Sequence, residues 1–294
     1  MKPSLPSLPL LSLVIVCVTQ ASAGPGTRSQ PVEEMSPLEA RIETYIKGLR
    51  HKGVIPSLER TSWSVYDFTT DRKLVTINED TPRQAASMIK PFVALSFFHR
   101  VKMDELIYGS KSKSKMKGML QCSDNSDTNW IMKHAGGPSG VQRILKTHYG
   151  HIFKETQVTE YIPSGGRTYR NKASAHDYSR FLYALWNDQI PYSTEIKRLM
   201  ALPNKDRCYW GASHIPKGTL VYDKTGSTAM LCGQIAILVP LGRDGNRYPY
   251  TFIAIIERDK RTRHFGSWVS HRANVLREVS NMVYDEINRM HHLR

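Results

Sequence analysis

The chain has 294 residues, 40% hydrophobic and 23% charged, enough apolar material for one large domain or two closely packed ones. Its net charge of +15, from 41 Lys and Arg against 26 Asp and Glu, invites a nucleic-acid partner. The basic residues are scattered apart from SKSKSKMK at 110–117 and RDKRTRH at 258–264, and no helix-turn-helix, zinc-finger or RNA-recognition pattern accompanies them. Both runs read as solvated surface charge suited to anionic cell-wall polymers or lipid headgroups, and no nucleic-acid partner is expected.

In chain order, Lys2, the apolar run LPLLSLVIVCV and the small residues ASA at 21–23 form a cleavable signal-peptide pattern. Residues 1–23 are therefore expected to be removed, residues 24–35 to be a polar leader, and the mature protein to be periplasmic or secreted without a stable membrane anchor. Cleavage leaves Cys122, Cys208 and Cys232, an odd number with no CxxC spacing. At least one free thiol or an intermolecular bond is expected, and a metal site is not.

Ser36 and Glu39 read as a capping box, with Pro37 at the first helical position. Leu38, Ile42, Tyr45, Ile46 and Leu49 then share one face of an amphipathic helix. TSWSVYDF and KLVTIN read as strands joined by a turn at TTDR. The apolar run behind Ser87 and Lys90 reads as a helix, and the chain stays mostly helical to about residue 200. Ser174 caps a clear amphipathic helix over 174–188. Strands return with TLVYDKTG, GQIAILVPL and YTFIAIIER, and a helix over roughly 268–291 closes the chain. This order predicts an α+β fold: an antiparallel sheet built from both chain ends and flanked by helices, with an all-helical lobe inserted between them. The α/β lobe would comprise 36–84 and 205–294, and the helical lobe 85–204.

Ser87 and Lys90, three residues apart on a helix, share a face. A serine hydroxyl needs a base to become a nucleophile. A lysine serves once burial or neighbouring cations depress its pKa. The S-x-x-K pattern alone is weak, since it recurs as Ser110/Lys113, Ser112/Lys115 and Ser114/Lys117, copies that read as solvated charge in an exposed loop. Two further triplets give it weight: Ser123-Asp124-Asn125, and Lys224-Thr225-Gly226 at the end of a strand.

The set S-x-x-K, S-D-N, K-T-G, in that order, resembles class A β-lactamases and penicillin-binding proteins, over about residues 36–291. The resemblance implies the β-lactamase/transpeptidase-like fold and a serine hydrolase working through an acyl-enzyme without metal or organic cofactor. It assigns Ser87 as nucleophile, Lys90 as base or relay, and Ser123, aided by Lys224, as proton donor to the leaving nitrogen. Asn125 would hold the substrate's amide side chain, and Thr225 and Ser227 its carboxylate. The N–H groups of Ser87 and Ser227 would form the oxyanion hole, with Gly226 permitting close approach of substrate. Asp124 would be structural.

For release of the acyl group the resemblance calls for a loop glutamate to activate water. Glu160 is the candidate and Glu155 its competitor, although the asparagine that the family places soon after its glutamate is missing. The interval from Ser87 to Ser123 is short for the family, which predicts an open cleft. No arginine follows Lys224 in STAMLCGQI, leaving Arg258 or Arg272 as stand-ins for carboxylate binding. A Cys122–Cys232 disulfide is conceivable, since each residue lies beside a motif of the same cleft. The leading expectation is β-lactamase-like hydrolysis of β-lactam amides. The alternatives are a D-alanyl-D-alanine peptidase acting on cell-wall peptides and a non-catalytic cell-wall-binding relative.

Overall fold

The structure, a computed structural model, describes residues 35–294, so the signal-peptide and leader readings for 1–34 lie outside the described residues. Helix α1 spans Pro37–His51, and the Ser36 hydroxyl caps it by accepting the Glu39 N–H at 3.1 Å. The box is not reciprocal. Glu39 instead accepts the Thr76 N–H at 2.6 Å, tying the helix start to the neighbouring strand.

A hairpin follows, β1 (Glu59–Asp67) and β2 (Arg72–Val75), then a short β3 (Arg83–Gln84) and a 3₁₀ turn at Ala86–Ile89. The helical part comprises α2 (Lys90–Lys102), α3 (Ser110–Leu120), α4 (Asn125–His134) and α5 (Gly137–Tyr149). A long loop then runs to β4 (Lys172–Ala173), which pairs with β3, and is followed by α6 (Ala175–Trp186) and α7 (Ser193–Met200). Strands β5 (Leu220–Thr228), β6 (Leu231–Val239) and β7 (Tyr250–Arg258) lead into α8 (Phe265–His291).

The main sheet is antiparallel, in the order β2-β1-β7-β6-β5, so strands from both chain ends lie side by side and β5 is an edge. Every residue of β6 is buried, because both faces of the sheet are covered. That explains its unbroken apolar run. Leu38 and Ile42 of α1 and Leu276 and Val279 of α8 pack on one face with Trp63 and Phe252. On the other face, Ile235, Ile253 and Ile255 join the core of the helical lobe around α2. Phe92, Val93, Ala94, Leu95, Phe97 and Phe98 are all fully buried, so α2 is a central helix surrounded by others. The sheet therefore carries a core on each face, and the one around α2 is shared by both predicted lobes.

One expectation needs correction. The SK run is not a loop: it forms α3, which buries Met116, Met119 and Leu120. Its lysines stay on the outside, Lys115 pairing with Asp127 at 2.7 Å and Lys111 lying over the Trp130 ring. Three apolar residues at one end suffice to anchor an otherwise polar helix.

Candidate active site

The 3₁₀ turn carries Ser87 against the edge strand. Met88, next in sequence, presses into the space over Gly226 of β5 and its cross-strand partner Gly233 of β6. A methyl group at Gly226 would sit 2.8 Å from Met88 Cγ, and one at Gly233 would sit 2.6 Å from Met88 Cε. Neither distance is sterically allowed. Gly226 thus seats the nucleophile turn on the sheet, a packing reason for glycine beside the substrate approach expected of it. Ala86 holds a left-handed φ of 45°, an uncommon backbone state for a residue with a side chain. Ser87 emerges half-buried and lines a cavity of about 470 Å³.

Lys90, at the start of α2, is completely buried beneath that cavity. Its Nζ bonds to Ser123 O at 2.5 Å, Ser123 Oγ at 3.1 Å and Asn125 Oδ1 at 3.0 Å. Ser123 supplies both oxygens because it is itself left-handed, at φ 56°. Asp124 follows as the N-cap of α4, accepting the Asp127 N–H at 2.7 Å. This is the structural role expected of it. Ser123 and Asn125 line the cavity with Ser87.

Burial, reinforced by the Lys224 charge, lowers the Lys90 pKa to about 7. Burial likewise lowers Lys224 to about 8. A neutral Lys90 has two N–H groups and one lone pair. Ser123 O and Asn125 Oδ1 can take the former while the Ser123 hydroxyl donates to the latter. Among the described residues the Ser87 hydroxyl has no hydrogen-bond partner, and its link to Lys90 is spatial, through the shared Ser123 wall.

Beyond Lys224 the edge strand continues past Ser227 and Thr228, which line the cavity. Thr225 and Gly226 lie beside that lining, and the Thr225 carbonyl accepts from Lys224 Nζ at 3.2 Å. Arg207 bonds to the carbonyls of Gly226 and Gly233 at 2.7 and 2.8 Å, clamping the two strands below the turn.

The loop 154–171 closes one side, and here the glutamate expectation is corrected. Glu160 is not among the residues lining the cavity. Its Oε1 accepts from Thr168 Oγ1, Tyr169 N and Arg170 N, each at 3.0 Å, so the carboxylate braces its own loop. Glu155 is exposed and lies outside the lining as well. Ile162 faces the cavity instead. The Asn129 side chain grips its backbone at both ends, accepting from Ile162 N and donating to Ile162 O, both at 2.8 Å. Asn171 grips Glu160 in the same way at 3.1 and 3.0 Å. Neither asparagine was recognised in the sequence. Asn129 lies four residues past Asn125 on the same helix face, which was the available signal.

The expected arginines are also displaced. Arg272 is locked to buried Glu59 through Nε and Nη2 at 2.5 and 3.0 Å, and Arg258 lies over the Trp268 ring. The cavity is lined instead by Arg167, Arg261 and Arg263, with Tyr169 and Phe265. Two of these arginines come from the 258–264 run read as solvated charge. Cys122 is exposed and Cys208 and Cys232 are buried, all as free thiols.

No helix among the described residues is long and apolar enough to cross a membrane. A search of curated protein sequences gives no match. Among solved structures, the chain resembles PBP-A at 16% identity and a TM-score of 0.69, covering 86% of this chain and 96% of that one. It also resembles a leucine-to-glutamate variant of PBP-A, solved as an acyl-enzyme complex with penicillin G, at 17% identity and a TM-score of 0.67, with 85% and 97% covered. A class A β-lactamase reconstructed for the last common ancestor of Gram-negative bacteria matches at 17–18% identity, as the original sequence with a TM-score of 0.67. It covers 83% of this chain and 99% of that one. The β-lactamase fold is thereby established. The model of the beta-lactamase enzyme family matches residues 52–115 and 112–287, and this chain, a serine β-lactamase-like or penicillin-binding-protein-like protein, belongs to that family.

Proposed function

We propose that the protein is an exported acyl-serine enzyme that opens β-lactam or cell-wall peptide amides at Ser87 and releases the acyl group slowly. It would thus act as a penicillin-binding peptidase and not as a fast β-lactamase. The single observation behind this choice is the lining of the cavity, where no aspartate or glutamate is found among the described residues. Hydrolysis of an acyl-serine requires a base that takes a proton from water near the ester. Ile162 is the loop residue that lines the cavity, and Glu160 is bound within its loop.

Acylation would draw on Lys90, whose amine lies 3.1 Å from the Ser123 hydroxyl at the cavity that Ser87 lines. The Ser87 oxygen attacks the amide carbonyl while its proton passes to the neutral amine of Lys90, directly or across the Ser123 hydroxyl. The N–H groups of Ser87 and Ser227 would receive the oxyanion. When the C–N bond breaks, Ser123 gives its proton to the leaving nitrogen and recovers one from Lys90. Lys224, cationic below about pH 8, favours a substrate carboxylate and steadies the developing negative charge. Left-handed Ser123 is central to this relay because one residue offers Lys90 both a carbonyl and a hydroxyl.

Intact-mass measurement after addition of benzylpenicillin tests the proposal. The expected result is a full-mass adduct on the Ser87 peptide that persists for many minutes and is absent in Ser87→Ala. Rapid multiple turnover with no accumulating adduct would replace this reading with the β-lactamase one.

A further inference from the structure

The cavity is chemically lopsided. At one end stand Ser123 and Asn125, above Lys90. At the other, the turn after β5 is stitched to the loop after β7 by the Thr262 N–H, which donates to Ala229 O at 2.9 Å. That stitch carries Arg261 and Arg263 to the cavity wall, facing Arg167 and Tyr169 of the long loop. The Arg261 guanidinium lies 5.8 Å from the Tyr169 ring centre. Among the described residues no carboxylate pairs with any of these three arginines. The nearby acids are engaged elsewhere: Glu257 with Arg83 at 3.4 Å and Asp259 with Arg60 at 2.9 Å. Three uncompensated guanidiniums on a concave wall concentrate positive potential there. A guanidinium's planar fork suits a carboxylate.

The direction of β5 says which half of a substrate meets them. The strand runs from Lys224 past Ser227 to Thr228, and its outer edge has no strand partner. An acyl chain laid along this edge with its carbonyl at Ser227 leaves the amine half toward Ser123 and Lys224. The acyl half advances toward Ala229 at about 3.3 Å per residue. Two residues on, roughly 7 Å from the scissile carbonyl, it comes level with Ala229, which the Thr262 bond joins to the arginine-bearing loop.

We infer that the preferred acyl donor carries a free carboxylate on its acyl half, about two residues from the bond that breaks, bound by Arg261 and Arg263 with Arg167. This rests on the acyl-serine reading above. It names the substrate class as anionic acyl peptides and their β-lactam mimics.

The test compares two penicillins that differ only at the far end of a straight four-carbon acyl chain, one a terminal carboxylate and the other its primary amide. Second-order rate constants for Ser87 acylation are measured by mass, with benzylpenicillin as control. The carboxylate compound should react at least tenfold faster, with the advantage shrinking at high salt and collapsing to near unity in the double variant Arg261→Gln, Arg263→Gln. Both side chains are exposed, so folding should survive, and circular dichroism checks it. A wild-type ratio near one overturns the inference while leaving acyl-serine chemistry intact. A tenfold ratio that persists in the variant overturns the assignment to these arginines. If benzylpenicillin and both analogues leave Ser87 unmodified, the acyl-serine reading falls and this one falls with it.

Discussion

The floor and the rim of the cavity are built on opposite principles. Lys90 and Lys224 are buried, and Lys90 is held by three hydrogen bonds from a neighbouring segment. Arg167, Arg261 and Arg263 are exposed, unpaired among the described residues, and carried on loops. A buried amine must be satisfied and desolvated to act as a base, which fixes its neighbours tightly. A rim cation needs only to reach a ligand. Chemistry is thus confined to the rigid part, and selection of substrate to the part that can vary.

The largest expected effect breaks the floor. Ser87→Ala should abolish the covalent adduct, and Lys90→Met should slow acylation by about 10²–10⁴-fold, the usual weight of a general base. Mass spectrometry of penicillin-treated protein reads both. A Lys90→Met enzyme acylating at the wild-type rate would remove that lysine from the mechanism.

Next comes the boundary between floor and rim. Ile162→Glu puts a carboxylate at a cavity position whose backbone Asn129 already holds. Decay of the acyl-enzyme should accelerate at least tenfold, seen as a shorter adduct lifetime and as steady turnover of a chromogenic cephalosporin. An unchanged lifetime would show that the 162 side chain does not face the ester.

The pH profile sharpens the contrast. Neutral Lys90 appears as pH rises through about 7, and the Lys224 cation disappears as pH passes about 8. Acylation should therefore climb on the acid side, peak between these values and fall on the alkaline side. Stopped-flow acylation rates from pH 5.5 to 9.5 measure this, and a flat profile would contradict the two depressed lysines.

A smaller effect tests the seat of the nucleophile. Gly226→Ala drives a methyl group into Met88 and should cost about 1–3 kcal/mol, or a few degrees in Tm. Met88→Ala in the same chain should recover part of that loss. Smallest of all, Glu160→Gln keeps an oxygen for the loop N–H groups and should leave the adduct lifetime unchanged. A marked lengthening would return Glu160 to the role first expected of it.

The same division explains which features the chain displays in its sequence. Ser87, Lys90, Ser123, Asn125 and Lys224 were legible because short-range spacing and order carry them. The caps at Ser36 and Ser174 were legible because capping is local, and β6 and β7 because burial on both faces leaves apolar runs. The loop was not legible. Whether Glu160 faces water or its own backbone depends on where Thr168, Tyr169 and Arg170 return in space, and no local spacing encodes that. The 258–264 run failed for a related reason. Its charge was plain, but its meaning came from the one backbone bond that joins Thr262 to Ala229. The SK run misled because alternating Ser and Lys masks the few methionines and the leucine that hold α3 down.

The two asparagines that hold the long loop, Asn129 and Asn171, touch only its main chain. A rivet through the backbone is indifferent to the side chains it passes between. The side chains of Ile162 and Arg167, which line the cavity and take no part in bracing the loop, can therefore be exchanged during evolution, or in a laboratory library, while the loop keeps its path. Diversity should be tolerated there far better than at either rivet, making these two positions the natural place to redirect the enzyme to new substrates.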